Sequence, residues 1–201
     1  MHISLNEVTL SVLKAGRGAG LGEGLAEDLA EASNWLCQAS IDGMALALQA
    51  LKHLPDDANT PTDCAAGWTY AQTSAARDVA GALDLLIAHG PFVQLNEIDV
   101  PPLVVGFAGH AATHTHKAYE LKWDNGAVTI VSATQLSWFG GNTPGRAVTV
   151  RCADAVSSTT RQSHDGADVD GRVYDGIQEF ASRTYVPATE HSRAHGAGAG
   201  I

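Results

Sequence analysis

The sequence predicts an α+β protein, in which an N-terminal helical half packs on a small, mainly antiparallel sheet and is closed by a C-terminal helix and a Gly-rich tail. Apolar residues recur every three or four positions up to about residue 90, which is the period of an amphipathic helix. From Pro91 onward they alternate instead, as they do in half-buried strands. A last helical pattern runs from about Val173 to Arg183 and places Tyr174, Ile177 and Phe180 on one face.

Four helices are predicted before Pro91. Ser4 and Glu7 have the spacing of a capping box and indicate that a helix begins at Leu5. Glycines between residues 16 and 24 predict a turn, and the aperiodic stretch from Pro55 to Gly67 predicts a surface loop. The predicted helices run from about Leu5 to Ala15, from about Leu25 to Leu36, from about Gly43 to Leu51, and from about Thr73 to Ala88 with Gly90 as its C-cap.

The strands are predicted after Pro91. The short apolar run from Leu103 to Phe107 is typical of a buried strand. Apolar and polar residues alternate from Tyr119 to Trp123, and Asn125-Gly126 follows, which together indicate a hairpin with a type I′ turn. Residues 147–152 alternate again and predict another strand, while Gly140 to Gly145 predicts a loop and Ser157 to Gly171 an exposed polar segment.

Length and composition favour one globular domain. A chain of 201 residues with 45% apolar residues can bury a core. We expect a single domain over residues 1–201, with a helical subregion at 1–90, a β-rich subregion at 91–160 and a C-terminal helix and Gly-rich arm at 172–201.

Charge and cysteine content exclude several classes of protein. The net charge of −10 and the absence of any Lys/Arg run disfavour binding to nucleic acids or anionic membranes. The longest apolar stretch is too short to span a bilayer, and no signal-peptide pattern is present. Cys37, Cys64 and Cys152 are odd in number and far apart, which favours free thiols and a cytoplasmic location. We expect Cys37 and Cys152 to be core residues.

Familiar nucleotide and calcium motifs do not fit. The glycines from Gly16 to Gly24 do not satisfy Gly-x-Gly-x-x-Gly in any register, and they follow a predicted helix instead of a strand. The acidic stretch from Asp165 to Gly171 lacks the ligands of a calcium loop. No P-loop or Gly-x-Ser-x-Gly motif occurs. The sequence therefore predicts no particular cofactor and no particular catalytic residue.

A histidine cluster is the best metal candidate in the sequence. His110, His114 and His116 would project to one side of an extended segment. His114 and His116 could then share an ion, with Glu120 or Asp124 as oxygen ligands. This pattern leaves a metal-dependent hydrolase open. Solvent-exposed histidines in a loop would give the same pattern.

The C-terminal segment is rich in hydrogen-bonding side chains. Arginine forks suit carboxylates and phosphates, and glycine-rich backbone can approach an anion closely. We expect this segment to bind or convert a small anionic metabolite. The alternative is a non-catalytic accessory or assembly protein whose arm contacts another subunit, as in a homo-oligomer. The candidate ligand-binding residues are Arg183, Thr184, Tyr185, Thr189, Glu190, Ser192 and Arg193.

Both ends of the chain resemble a known bacterial domain family of unknown function. The N-terminal resemblance lies in Leu5-Asn-Glu-Val and in the glycine pattern that leads to Trp35-Leu. The C-terminal resemblance is the string Arg-Thr-Tyr-Val-Pro-Ala-Thr-Glu-x-Ser-Arg from Arg183 to Arg193, followed by Gly-Ala-Gly-Ala-Gly. The resemblance implies a soluble bacterial protein and implies no activity. The histidine cluster is not part of the family pattern.

Overall fold

The computed structural model describes residues 1–64, 67–153 and 166–184, and these residues form six helices and nine strands. The helices are α1 Leu5–Gly18, α2 Glu23–Gln38, α3 Gly43–Lys52, α4 Ala75–His89, α5 Pro101–Thr115 and α6 Gly171–Ser182. The strands are β1 His2–Ser4, β2 Thr62–Cys64, β3 Gly67–Tyr70, β4 Val93–Leu95, β5 Ala118–Trp123, β6 Val128–Val131, β7 Leu136–Phe139, β8 Val148–Ala153 and β9 Gly166–Asp168. This arrangement confirms the predicted α+β class with a mainly antiparallel sheet.

Helix α2 is the centre of the helical layer. It packs against α1 on one side and against α5 on the other, and α6 lies on the far side of α1. The Ser4 half of the predicted capping box is confirmed, because the Glu7 amide donates to Ser4 Oγ at 3.1 Å. Tyr174 on α6 donates to Glu7 at 3.1 Å and fixes α6 to the first turn of α1. The helices therefore lie in the order α6, α1, α2, α5.

Helix α5 corrects the strand predicted from Leu103 to Phe107. It begins with two prolines, Pro101 and Pro102, in its first turn, where a missing amide hydrogen costs nothing. Every residue from Leu103 to Gly109 is buried. A helix that is apolar on all sides has no helical periodicity in its sequence. The apolar run from Leu103 to Phe107 therefore resembled a buried strand.

Two glycines let α5 approach α2 closely. A Cβ atom at Gly106 would lie 2.7 Å from the carbonyl oxygen of Ala32 on α2. At Gly109 it would lie 2.6 Å from Cζ2 of Trp35 and closer still to two other ring carbons. Neither distance is compatible with a side chain, so the α2–α5 contact requires glycine at both positions.

The main sheet has seven strands in the order β2-β3-β4-β8-β5-β6-β7. All neighbouring strands are antiparallel except β3 and β4, which are parallel. Helices α4 and α5 lie against this sheet, and Tyr119, Leu121 and Trp123 of β5 are buried in the core, as predicted. Strands β1 and β9 form a separate antiparallel pair between distant parts of the chain.

The β5–β6 hairpin is confirmed, but its predicted turn type is wrong. Gly126 has φ of +83°, whereas Asn125 does not have a positive φ. A type I′ turn needs positive φ at both central residues. The Gly126 amide donates to the carbonyl of Trp123 at 3.0 Å, and the Trp123 amide donates to that of Ala127 at 2.9 Å. The connection is therefore a type I turn closed by a glycine bulge.

Smaller differences concern short strands and termini of helices. The loop predicted from Pro55 to Gly67 contains β2, so the helical subregion also holds strands, just as the β-rich subregion holds α5. Gly90 ends α4 in an extended conformation, and the predicted exposed segment before Gly171 contains β9. Cys37 is buried as expected, but Cys152 is exposed, which corrects its prediction as a core residue. Among the described residues, no helix combines the length and apolar character needed to cross a membrane.

Candidate functional site

A cleft between α2, α4 and α5, here called the His cleft, brings titratable side chains onto an apolar wall. Its volume is about 220 Å³. Its polar groups come from all three helices, and its apolar wall comes from α4 and α5. The polar lining residues are Asp28, Asp84, His110, His114 and Thr115, and the apolar ones are Ala80, Leu83, Ile87, Phe107 and Ala111.

His110 and His114 lie together because α5 is a helix. They are four residues apart and therefore share one face. Their ring centroids are 4.7 Å apart with an interplanar angle of 76°. His116 is the C-cap residue, has φ of +55°, and is exposed. The structure therefore pairs His110 with His114, in place of the predicted pair of His114 and His116 on an extended segment.

Carboxylates from two other helices surround this histidine pair. The Nε2 atom of His110 is 4.0 Å from Oδ1 of Asp28 on α2. Burial lowers the pKa of His110, and the neighbouring His114 lowers it further, although Glu31 and Asp28 act in the opposite direction. Burial also raises the pKa of Asp28, and Asp84 on α4 contributes to that increase. His110 is thus neutral at neutral pH, beside a carboxylate.

A second hollow is lined by the same two histidines. It has a volume of about 410 Å³ and is lined by His110, His114 and Thr113 of α5 and by residues of α2 that include Glu31 and Trp35. His110 therefore contributes to two adjacent hollows. A molecule in either one would meet the same imidazole.

A hydroxyl pair borders the His cleft at the C-terminal end of α5. The Oγ1 atom of Thr115, which lines the cleft, is 3.1 Å from the hydroxyl oxygen of Tyr119. Tyr119 is fully buried, and burial raises the pKa of its phenol. The phenol is therefore protonated at neutral pH. This pair links the last turn of α5 to the start of β5.

The arrangement does not match the expected metal ligand set. In the part of the chain that the structure describes, no three or more His, Cys, Asp or Glu side chains are placed to hold a metal ion together. Glu120, one of the predicted oxygen ligands, instead forms an ion pair with Lys122 at 3.1 Å. Asp124, the other one, begins the turn of the β5–β6 hairpin.

Only the first two residues of the predicted C-terminal site fall within the described chain. Arg183 and Thr184 follow α6, which packs on α1 and α3, away from the His cleft. The Arg183 guanidinium lies 4.4 Å from the centroid of the Phe180 ring and 3.8 Å from a carboxylate oxygen of Glu179. Thr184 Oγ1 donates to the carbonyl of Ala181 at 2.7 Å. The remaining predicted residues lie outside the described residues: Tyr185, Thr189, Glu190, Ser192 and Arg193.

A third hollow, of about 280 Å³, lies where the end of α2 meets the start of α3 and β9. Its lining includes Cys37, Asp42 and Asp168. Burial raises the pKa of the Cys37 thiol, although the amides of Gly43 and Met44 oppose the shift. The thiol is therefore protonated at neutral pH and is a poor nucleophile.

The acidic residues of the His cleft and of the adjacent hollow were missed by sequence reasoning. Asp28 and Glu31 have the pattern of solvent-exposed acids on the polar side of α2, and Asp84 has the same pattern on α4. Nothing in the local sequence distinguishes them from ordinary surface carboxylates. The two prolines that open α5 were the available signal, because they indicate a helix start and would have placed His110 and His114 on one helical face.

Residues 3–81 match the family described as "Protein of unknown function (DUF3726)". No curated protein shows significant similarity to the chain. The matched residues include α1, α2 and α3, and hence Asp28 and Glu31, but not the histidines of α5. The resemblance to a family of unknown function is thus confirmed over residues 3–81, and the C-terminal signature lies outside the matched range.

Proposed function

We propose that the chain binds a small molecule in the His cleft and that His110 transfers a proton to or from it. One observation supports this proposal above all: the 4.0 Å approach of His110 to Asp28 beside His114, in a cleft that has an apolar wall. Perturbed titratable groups that converge in a cleft are typical of binding and catalytic sites. Packing alone does not require two imidazoles and two carboxylates at one opening.

The roles of the residues follow from their placement. A neutral His110 can accept a proton, and the Asp28 carboxylate stabilises the imidazolium that forms. His114 is more exposed and borders the same opening, where it can hydrogen-bond to a ligand. The hydroxyl of Thr115 already donates to the carbonyl of Ala111 at 2.8 Å, so Thr115 shapes the cleft wall and is not a free donor for a ligand. The apolar residues of α4 and α5 would hold the carbon skeleton of the ligand.

A thermal-shift screen of small polar metabolites tests the proposal. Compounds that stabilise the wild-type protein should lose most of their effect with His110→Gln, because the substitution removes the titrating imidazole but keeps a polar side chain. His116→Gln is the matched control, since His116 is exposed on the same segment and does not line the cleft. Compounds that stabilise His110→Gln as much as wild type would contradict the proposal.

A second proposal concerns the C-terminal segment. We propose that its arginines bind a small anionic metabolite, as the sequence predicts. In its support, Arg183 is the C-cap residue of α6 and its side chain is half exposed. Arg183→Ala and Arg193→Ala should then abolish binding of the anion and leave the protein folded. Unchanged affinity in both variants would refute this role.

The accessory role gives a different result in sedimentation. If the arm is a subunit contact, a chain that ends at Ser182 should lose its oligomeric state. An intact oligomer that no longer binds the anion favours the metabolite instead.

Three thiols without a disulfide among the described residues support the proposal of a cytoplasmic location, which fractionation of cells would test.

A metal-dependent hydrolase stays a lesser proposal. The closeness of His110 and His114 supports it, and the described residues supply no third ligand. Titration with Zn²⁺ followed by calorimetry tests it. Binding that disappears in His114→Ala and persists in His116→Ala would favour a metal, and no binding would exclude this role.

A further inference from the structure

We infer that the ligand of the His cleft is a small amine, bound as its ammonium ion between Asp28 and Asp84 with its carbon skeleton against the apolar wall. This inference rests on the proposed binding function of the cleft and names the chemical class of its ligand. Three observations support the inference: the charge of the lining residues, the apolar surface beside them and the size of the cleft.

The charges around the cleft are of one sign. Asp28 on α2 and Asp84 on α4 line it, and neither Lys nor Arg is among its lining residues. Glu31 lines the adjacent hollow, to which His110 also contributes. The two aspartates repel each other, since Asp84 contributes to the raised pKa of Asp28. An ammonium ion would relieve this repulsion, whereas a carboxylate or phosphate would increase it.

The histidines complement an ammonium group. A neutral imidazole has one nitrogen that accepts a hydrogen bond, and the lowered pKa of His110 keeps this ring neutral at neutral pH. An ammonium ion has several N–H donors and no acceptor. Two carboxylates and one imidazole therefore offer it acceptors on different sides.

The apolar wall and the volume limit the rest of the ligand. Leu83 and Ile87 of α4 and Phe107 and Ala111 of α5 line the cleft together. Its volume of about 220 Å³ lies below the roughly 300–1,000 Å³ of pockets that hold drug-sized molecules. A short aliphatic chain fits this surface, and a large polar ligand does not.

Three probes of equal chain length test the inference: n-butylammonium, 1-butanol and butyrate. Each is titrated into ¹⁵N-labelled full-length protein at neutral pH, and affinities are taken from amide chemical shifts of α4 and α5. We expect n-butylammonium to bind about tenfold more tightly than 1-butanol, as loss of one charge-assisted contact would give, and butyrate to bind most weakly.

Two variants identify the charge that is responsible. Asp84 is exposed, so Asp84→Asn should fold normally, and we expect it to reduce the affinity for n-butylammonium several-fold without changing that for 1-butanol. Asp175→Asn is the matched control, because it removes one negative charge from an exposed position on α6 and should change neither affinity.

The outcomes separate this inference from the function on which it rests. If 1-butanol or butyrate binds the cleft as tightly as n-butylammonium, the inference of an amine ligand is wrong. The proposal that the cleft binds a small molecule is then still supported. An equal loss in Asp84→Asn and Asp175→Asn would also overturn the inference, since it would reflect net charge alone. If none of the three probes binds, the inference of a small amine is overturned. The thermal-shift screen with His110→Gln then decides whether the cleft binds another small molecule.

Discussion

Replacement of Gly109 by alanine tests the close contact between α2 and α5, on which the geometry of the His cleft depends. The new methyl group would lie 2.6 Å from Cζ2 of Trp35 and closer to two other atoms of the ring. Trp35 is only 3% exposed, so its ring cannot swing into solvent to relieve the overlap. One helix must move away from the other.

The expected magnitude combines two opposing effects. Overpacking of a core costs about 1–3 kcal/mol, and the tight contact at Gly109 places this case near the upper end. Alanine is favoured over glycine inside a helix by about 1 kcal/mol. The free energy of unfolding of Gly109→Ala should therefore fall by about 2 kcal/mol.

Urea denaturation of two glycine variants measures this effect. Gly81 lies within α4, and a Cβ atom there would meet nothing within 4 Å. Gly81→Ala should therefore gain about 0.5–1 kcal/mol from helix propensity alone. Gly109→Ala must be the less stable of the two. If it equals or exceeds wild type in stability, α2 and α5 do not approach as described.

Three further predictions concern pH, a buried carboxylate and a helix cap. The pKa of His110 is lowered in the folded state, so the unfolded chain binds the proton more tightly, and stability should fall as the pH drops below about 6.5. His110→Gln should show a shallower decline in denaturation midpoints between about pH 7 and pH 5, and an unchanged slope would contradict the assigned environment. Asp78 is buried and accepts hydrogen bonds from the backbone amides of Asn59 at 2.9 Å and Ser74 at 2.7 Å. Asp78→Ala should therefore lower the free energy of unfolding by about 3 kcal/mol in chemical denaturation. A loss near zero would refute that network. Ser4→Ala removes the cap of α1 and should cost about 1 kcal/mol, which Ser4→Asp should largely restore.

The amphipathic helices and the hairpin could be predicted from the sequence, because each has one buried and one exposed face. Helix α5 could not be identified by periodicity, since its buried residues surround the helix axis. The β1–β9 pair joins Ile3 to Ala167, and no local pattern encodes a contact across that separation. The turn at Asn125-Gly126 shows a further limit, because the same dipeptide suits a type I turn with a glycine bulge.

The candidate site could be predicted only in part. His110 and His114 were named from the sequence, but their relation to each other depended on the conformation of residues 110–116. Asp28 lies more than 80 positions before His110, and the packing of α2 on α5 brings the two together. The C-terminal prediction depends on side-chain chemistry beyond the described residues, and it stays a prediction.

Chemical-shift mapping of a library of small polar fragments on the ¹⁵N-labelled protein tests most directly whether the His cleft is a binding site. We predict that perturbed amides cluster near Asp28 on α2, along the face of α4 that carries Leu83 and Ile87, and from His110 to Thr115 on α5. Perturbations that cluster instead around Cys37 or on the main sheet, with the amides of α5 unchanged, would contradict the proposed function.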